Sequence, residues 1–228
     1  MAWIRTLPRK VGGTVELFYC MECESFSSPF SPPVANPPTE VNWHKTVLDR
    51  NLKWSDELLS KLSDKGVTGP MVDIGCGIGS LLEGAKRRGI SGIGFDLDVE
   101  ACAYGREAFG LDLRGELWSR DKTGHFGLIS CISVLEHVHQ PRALITEMIQ
   151  TARDYGAHAY LSVPLINRDW WRFLHTDNLT PGHMFEVPHA HVTHFSNLGM
   201  RTLLEQLGVQ NVDVVSVDKG WVGYLVTP

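Results

Sequence analysis

Val72-Asp73-Ile74-Gly75-Cys76-Gly77-Ile78-Gly79 is the stretch on which the fold turns. Residues 71–74 form a short apolar run of strand type. The three glycines break it, and an amphipathic run through Arg88 reads as a helix. A glycine pattern between a strand and a helix is the context in which such a turn takes a nucleotide. Gly75 and Gly77, with Cys76 between them, let the backbone bend sharply and approach a ligand whose space a Cβ would fill. Asp73, at the strand end, is suited to the amino group of an amino-acid-like ligand. About twenty residues further on, Asp96 ends the next strand, where a carboxylate can accept both hydroxyls of a ribose. The spacing is Gly-x-Gly-x-Gly, and Ser80 stands where a dinucleotide fingerprint has its third glycine. That weakens the case for a pyrophosphate on the helix N-terminus.

Working outward, short apolar runs alternate with amphipathic ones, the pattern of a parallel sheet covered by helices. Strands are expected at residues 71–74, 92–96, 113–118, 128–134 and 157–163. Helices are expected to 88, over 99–109, and from Pro141, which suits a first helical turn. Ser196 is placed to cap a last helix that Gly208 ends. Residues 212–217 and 223–226 flank Asp218-Lys219-Gly220 as a terminal hairpin. The fold class expected is therefore α/β: a Rossmann-like, doubly wound, mostly parallel seven-stranded sheet with an antiparallel terminal strand, plus an N-terminal arm and a lid. Residues 1–40 form the arm, with one Cys20-x-x-Cys23 pair and a Ser/Pro-rich linker; residues 41–228 form the domain, in which 41–65 are a helical cover. The aromatic and histidine-rich stretch 164–195 is longer than a connection requires and reads as a substrate lid.

The 228 residues are 43% hydrophobic and 21% charged, close to ordinary globular values, so disorder and a membrane span are both disfavoured. A formal net charge of −5 argues against a nucleic-acid partner, which would call for a basic stripe. Lys86, Arg87 and Arg88 read as a solvated helix face. No apolar run reaches the length of a bilayer span, and the first ten residues lack the apolar centre of a signal peptide, so a cytoplasmic protein without membrane attachment is expected. Five cysteines, an odd number, fit free thiols in a reducing compartment.

On these residues the sequence resembles the class I methyltransferases, from Pro70 to Val226. Asp73, Gly75, Gly77 and Gly79 match that family's first motif, and Asp96 its ribose-binding acid. The resemblance implies S-adenosyl-L-methionine as cofactor. It puts Leu97 against the adenine, Glu116 and Leu117 near the adenine edge, and Cys76 and Ser133 among the donor contacts. A terminal hairpin is shared by these enzymes and lacking in ordinary dehydrogenases. Ile132-Ser133-Val134-Leu135-Glu136-His137-Val138 resembles the Leu-Glu-His-Val segment of small-molecule methyltransferases, among them the ubiquinone-biosynthesis O-methyltransferases. In those enzymes a glutamate three residues before the Glu-His pair can help hold a divalent metal. Ser133 occupies that place here, so no metal is expected.

Methyl transfer needs alignment of donor and acceptor and, where the acceptor is protonated, a base. His137, at the end of the fourth strand, is one candidate. His191-x-x-His194-Phe195-Ser196 resembles the family's lead-in to its last core helix and supplies His191 and His194 as others. Three further features are weaker. Cys20-x-x-Cys23 is half a zinc ribbon, and tetrahedral zinc wants four ligands. Asn36-Pro37-Pro38-Thr39 resembles the motif of enzymes that methylate amines in DNA but stands in the wrong place. Asp169-Trp170-Trp171-Arg172-Phe173 and the nearby His183 and His189 belong to the lid. The expectation is an enzyme of the S-adenosylmethionine-dependent methyltransferase class acting on an oxygen, before a nitrogen, of a small-molecule or sugar acceptor, with room for a homodimer. The rival readings are a non-catalytic S-adenosylmethionine-binding module serving a protein partner and an NAD-dependent oxidoreductase.

Overall fold

The computed structural model describes residues 2–8, 14–28, 39–165, 191–218 and 220–227. In chain order the strands are β1 (Ala2–Pro8), β2 (Thr14–Tyr19), β3 (Phe26–Ser27), β4 (Met71–Ile74), β5 (Gly92–Phe95), β6 (Asp112–Arg114), β7 (Leu128–Ile132), β8 (His158–Pro164), β9 (Thr193–His194), β10 (Asn211–Asp218) and β11 (Trp221–Thr227). The helices are α1 (Val41–Thr46), α2 (Leu48–Asp64), α3 (Ser80–Arg87), α4 (Val99–Phe109), α5 (Pro141–Tyr155) and α6 (Asn197–Gln206).

Seven strands form the main sheet in the order β10-β11-β8-β7-β4-β5-β6. β4 through β8 are parallel, whereas β11 runs antiparallel to both β8 and β10. Side chains alternate across the central strands and separate two cores. Val72, Ile74, Ile129, Cys131, Ala159 and Leu161 pack on one face with Ile145 and Met148 of α5 and Met200 and Leu204 of α6. Met71, Leu128 and Tyr160 pack on the other with Leu58 and Leu62 of α2 and Leu81 and Leu82 of α3. A strand buried on both faces reads as a continuous apolar run, which is why β4 and β7 stand out in the sequence.

Chain direction decides where a ligand can go. From β4 the chain winds outward through β5 and β6, then returns beside β4 as β7 and winds the other way through β8. The crevice beyond the carboxyl ends of β4 and β7 is thus a topological switch point, where ligands of open α/β sheets bind.

Several expected boundaries shift. The third strand stops at Arg114 rather than reaching 118, because Gly115 then lies tight against Val99 at the start of α4. The cover 41–65 is two helices, interrupted at Val47 with φ −108° and ψ 5°. The fourth strand stops at Ile132, since Ser133 adopts the left-handed region at φ +55°. The N-terminal region holds more structure than its composition announces. β1, β2, β3 and β9 form a second, four-stranded sheet, in which Phe26 pairs with His194 and Ser27 with Thr193. Ser196 caps α6 as expected, accepting the Gly199 N–H at 2.8 Å. The aromatic stretch 169–173, His183, His189 and the prolines 32, 33, 37 and 38 lie outside the described residues. Among the described residues no helix is long and apolar enough to cross a membrane.

Candidate active site

One half of the crevice is built by the turn after β4. Gly75 has φ +73°, and a Cβ there would lie 2.0 Å from Val134 Cγ2. Gly77 has φ +53°, and a Cβ there would meet the His44 imidazole at 2.7 Å. The left-handed backbone and the close neighbour both demand glycine. Those neighbours belong to the protein itself, which adds to the expectation that a Cβ would fill a ligand's space. His44, on α1, rests on the turn, and the start of α1 is held in place by Asp98, whose Oδ2 accepts the Thr39 hydroxyl at 3.0 Å and the Glu40 N–H at 2.9 Å. Nothing in the residue pattern singles out His44, because an isolated histidine in a helical cover has no distinguishing spacing.

Asp96 stands at the end of β5 with both oxygens engaged. Oδ2 accepts the Gly77 N–H at 2.7 Å and Oδ1 accepts the Asp98 N–H at 2.8 Å. These bonds fix the carboxylate, and each oxygen keeps a second lone pair for a hydroxyl. Asp73 is buried, at 4% exposure, and accepts the Ser130 hydroxyl at 2.7 Å. Burial pushes its carboxyl up to about 7, against the lowering effect of Ser130 and with a further push from the Asp96 charge. Two carboxylates beside one turn give the crevice a negative potential suited to a cationic ligand.

The remaining expected donor contacts are placed unevenly. Leu97 and Leu117 are 63% and 68% exposed, at the ends of the neighbouring strands β5 and β6, and offer an apolar surface there. Glu116 is tied to Lys122 at 2.8 Å. Cys76 turns its thiol into the core beside Gly94, where a hydrogen bond with Cys102 and burial hold its pKa well up. Only its backbone faces the turn. Ser133 accepts the Trp221 indole N–H at 3.0 Å.

The other half lies past β7. The Glu136 carbonyl accepts the Val192 N–H at 2.6 Å and the Thr193 N–H at 3.1 Å, which draws the segment leading into β9 onto the end of β7. His191 is thereby set against His137, with ring centroids 4.7 Å apart at 76°, and His194 lies 5.8 Å from His191. The three histidines singled out by sequence therefore meet. Glu136 joins them: it is 1% exposed, its Oε1 is 3.9 Å from His137 Nε2, and its Oε2 has no hydrogen-bond partner among the described residues. Burial pushes its carboxyl up to about 7. His191 is pushed down to about 3 by burial and by the charges of His137 and His194. His194 falls to about 4 by burial. Both imidazoles are consequently neutral at pH 7, with a lone pair each.

Residues 48–214 match the Methyltransferase domain family. The chain belongs to that family. Its fold is the class I, S-adenosylmethionine-dependent methyltransferase fold. Among curated proteins it is similar to the ubiquinone biosynthesis O-methyltransferase of Acinetobacter baumannii strain AYE, with 32% identity over 127 residues, or 52% of this chain and 51% of the relative. The corresponding protein of Acinetobacter baylyi is 29% identical over 127 residues, covering 52% and 50%. The match thus spans about half the length of these relatives. Among solved structures it is similar to the magnesium protoporphyrin IX methyltransferase of Synechocystis PCC 6803 with bound SAH, at TM-score 0.51 and 17% identity over 86% of this chain and 88% of that one. A S-adenosylmethionine-dependent methyltransferase from Clostridium acetobutylicum ATCC 824 gives TM-score 0.55 and 13% identity over 82% and 96%. At these identities the structural likeness speaks for the fold.

Proposed function

We propose that the chain binds S-adenosyl-L-methionine in the crevice beyond β4 and β5 and transfers its methyl group to an oxygen, or second to a nitrogen, of a small-molecule or sugar acceptor. The observation that carries this reading is the pair Asp73 and Asp96 flanking the glycine turn, with the Glu136, His137 and His191 cluster across the switch point. In this reading Asp73 takes the donor's ammonium, directly or through water, Asp96 takes the ribose hydroxyls, and Leu97 and Leu117 flank the adenine. Gly75, Gly77 and the backbone of Cys76 border the methionine part, and Ser133 faces it from the turn after β7.

The acceptor oxygen enters from the side of β7 and attacks the methyl carbon in line with the carbon–sulfur bond. An O–C bond forms, the S–C bond breaks, the sulfonium becomes a neutral thioether, and the acceptor's proton is lost on the side of the histidine cluster. Because the sulfonium is already activated, positioning supplies most of the acceleration. Residues 41–228 serve as the catalytic domain, with 164–195 over the acceptor and 1–40 as an arm. A homodimer and a cytoplasmic setting complete the proposal; the five cysteines, none of them in a disulfide, suit a reducing compartment.

The test is formation of S-adenosylhomocysteine from the donor with a panel of phenols, sugars and amines. Turnover with a hydroxyl acceptor supports the reading. Donor binding with no turnover across the panel would leave a binding module in its place.

A further inference from the structure

We infer that Cys20 and Cys23 form a thiol–disulfide exchange site for a small-molecule disulfide, with Cys20 as the attacking thiol and Cys23 as the resolving one. The site stands apart from the donor crevice and does not depend on the reading of it.

Local backbone bonds bring the two sulfurs together. β2 ends at Tyr19 and the chain turns back at once. The Glu24 N–H donates to the Cys20 carbonyl at 2.8 Å, and the Cys20 N–H to the Ser25 carbonyl at 2.9 Å. Glu24 closes the turn in the left-handed region at φ +55°, an uncommon conformation for a residue with a side chain. Inside this loop the thiols of Cys20 and Cys23 hydrogen-bond to each other, and the N–H groups of Cys23 and Glu22 point at the Cys20 sulfur. The turn is also anchored from outside. The Cys23 carbonyl accepts the Ser25 hydroxyl at 3.3 Å and the Ser196 hydroxyl, while the Ser25 oxygen accepts the Ser196 N–H at 3.1 Å. The sulfurs are thus held adjacent in the reduced protein, so little loop-closure entropy is left to lose when they join.

The pair is asymmetric in the way exchange requires. The Cys23 N–H, the Cys23 thiol and the Glu22 N–H stabilise a thiolate on Cys20 and hold its pKa down, whereas burial and the bond to Cys20 push Cys23 up. The thiolate is the nucleophile in exchange, and a neighbour kept protonated is held for the second step. Both residues are half-buried, while Cys76, Cys102 and Cys131 are buried. A metal is the competing use of such a pair. Structural zinc wants four ligands, and among the described residues no third His, Cys, Asp or Glu gathers with these two.

A cavity of about 990 Å³ beside the turn, lined by both cysteines with Arg142, Glu147, Phe26 and Phe195, sets the substrate class. It has the size of a small-ligand pocket. A guanidinium and a carboxylate beside apolar rings suit a zwitterionic, peptide-like disulfide. The Cys20 thiolate attacks one sulfur of that disulfide: a bond to Cys20 forms, the substrate's S–S bond breaks, and one thiolate leaves to take up a solvent proton. Cys23 then attacks the Cys20 sulfur and gives its proton to the second half as that half departs. Two electrons pass from the dithiol to the substrate, which leaves as two thiols.

Oxidised glutathione, incubated with the full chain and followed by alkylation and peptide mass mapping, tests the inference. The wild type should lose two thiols together, both in the peptide that carries Cys20 and Cys23, with no glutathione left attached, and dithiothreitol should restore them. Cys23→Ser should stop with one glutathione on Cys20. Cys20→Ser should react on the order of tenfold more slowly or less. The wild-type map needs no variant, so it decides the matter if either replacement does not fold. Glutathione retained on the wild type, oxidation mapped to Cys76, Cys102 or Cys131, or an undiminished rate in Cys20→Ser would each overturn the site. So would zinc bound to the purified wild type and lost from both serine variants.

Discussion

Replacing Asp73 by asparagine should make the free protein more stable at alkaline pH while weakening its hold on the donor. The carboxyl is buried, and its pKa stands at about 7 against an ordinary 3.8. The folded chain therefore binds this proton more tightly than the unfolded chain does. Between about pH 4 and pH 7 the native state carries more protons, and stability falls as pH rises through that window. At about 1.4 kcal/mol per pH unit, the penalty above pH 7 is on the order of 4 kcal/mol, an upper figure for a site that can relax. Asparagine does not ionise, and its amide oxygen can still accept the Ser130 hydroxyl that Asp73 accepts at 2.7 Å. Urea unfolding at pH 5 and pH 8 is the assay. The variant should gain about 1–4 kcal/mol on wild type between the two pH values, since the difference isolates the one carboxyl from others that titrate alongside it. Excess donor should narrow the gap, because its ammonium stabilises the ionised carboxylate and binding stabilises only the folded form. A wild type and variant whose stabilities run parallel from pH 5 to pH 8 would refute the reasoning.

Other outcomes follow from the same geometry. Donor affinity of the wild type should drop about tenfold per pH unit below pH 7, as protons compete for Asp73, and a flat calorimetric profile from pH 8 to pH 5.5 would count against that role. Gly77→Ala should destabilise by about 1–3 kcal/mol through its positive φ and its clash with His44. The clash part should vanish in a His44→Ala background, which a double-mutant thermal melt measures. Ser196→Ala should cost about 1 kcal/mol, a melting shift of about 2–4 °C, through loss of the α6 cap.

How much of this was legible depends on whether the information is local. The turn 75–79, the end of β5 and the Pro141 and Ser196 helix starts are set by backbone chemistry within a few residues, so their spacing shows them. β4 and β7, buried on both faces, announce themselves as apolar runs. β3 and β9 do not, because a two-residue strand has no alternation to detect, and its partner lies far along the chain. The same distance hid the site's second half. His191 and His194 were visible as candidates, but their meeting with His137 depends on hydrogen bonds from Val192 and Thr193 to Glu136, which no local pattern encodes. The place of Cys76 between two glycines marks it as a donor contact, and the strand-to-turn geometry leaves its backbone for that role while the thiol goes to the core. The exposure of Leu97 and Leu117 is the reverse case: apolar side chains placed by motif that the fold leaves open.

Isothermal titration of the purified chain with S-adenosylmethionine, beside its Asp96→Asn variant, tests the central claim most directly. The account predicts one donor per chain and a loss of about 100-fold on removing the charge that orders Gly77 and receives the ribose, on the order of 3 kcal/mol. Equal affinity in the two proteins, or no heat from a well-folded wild type, would contradict it.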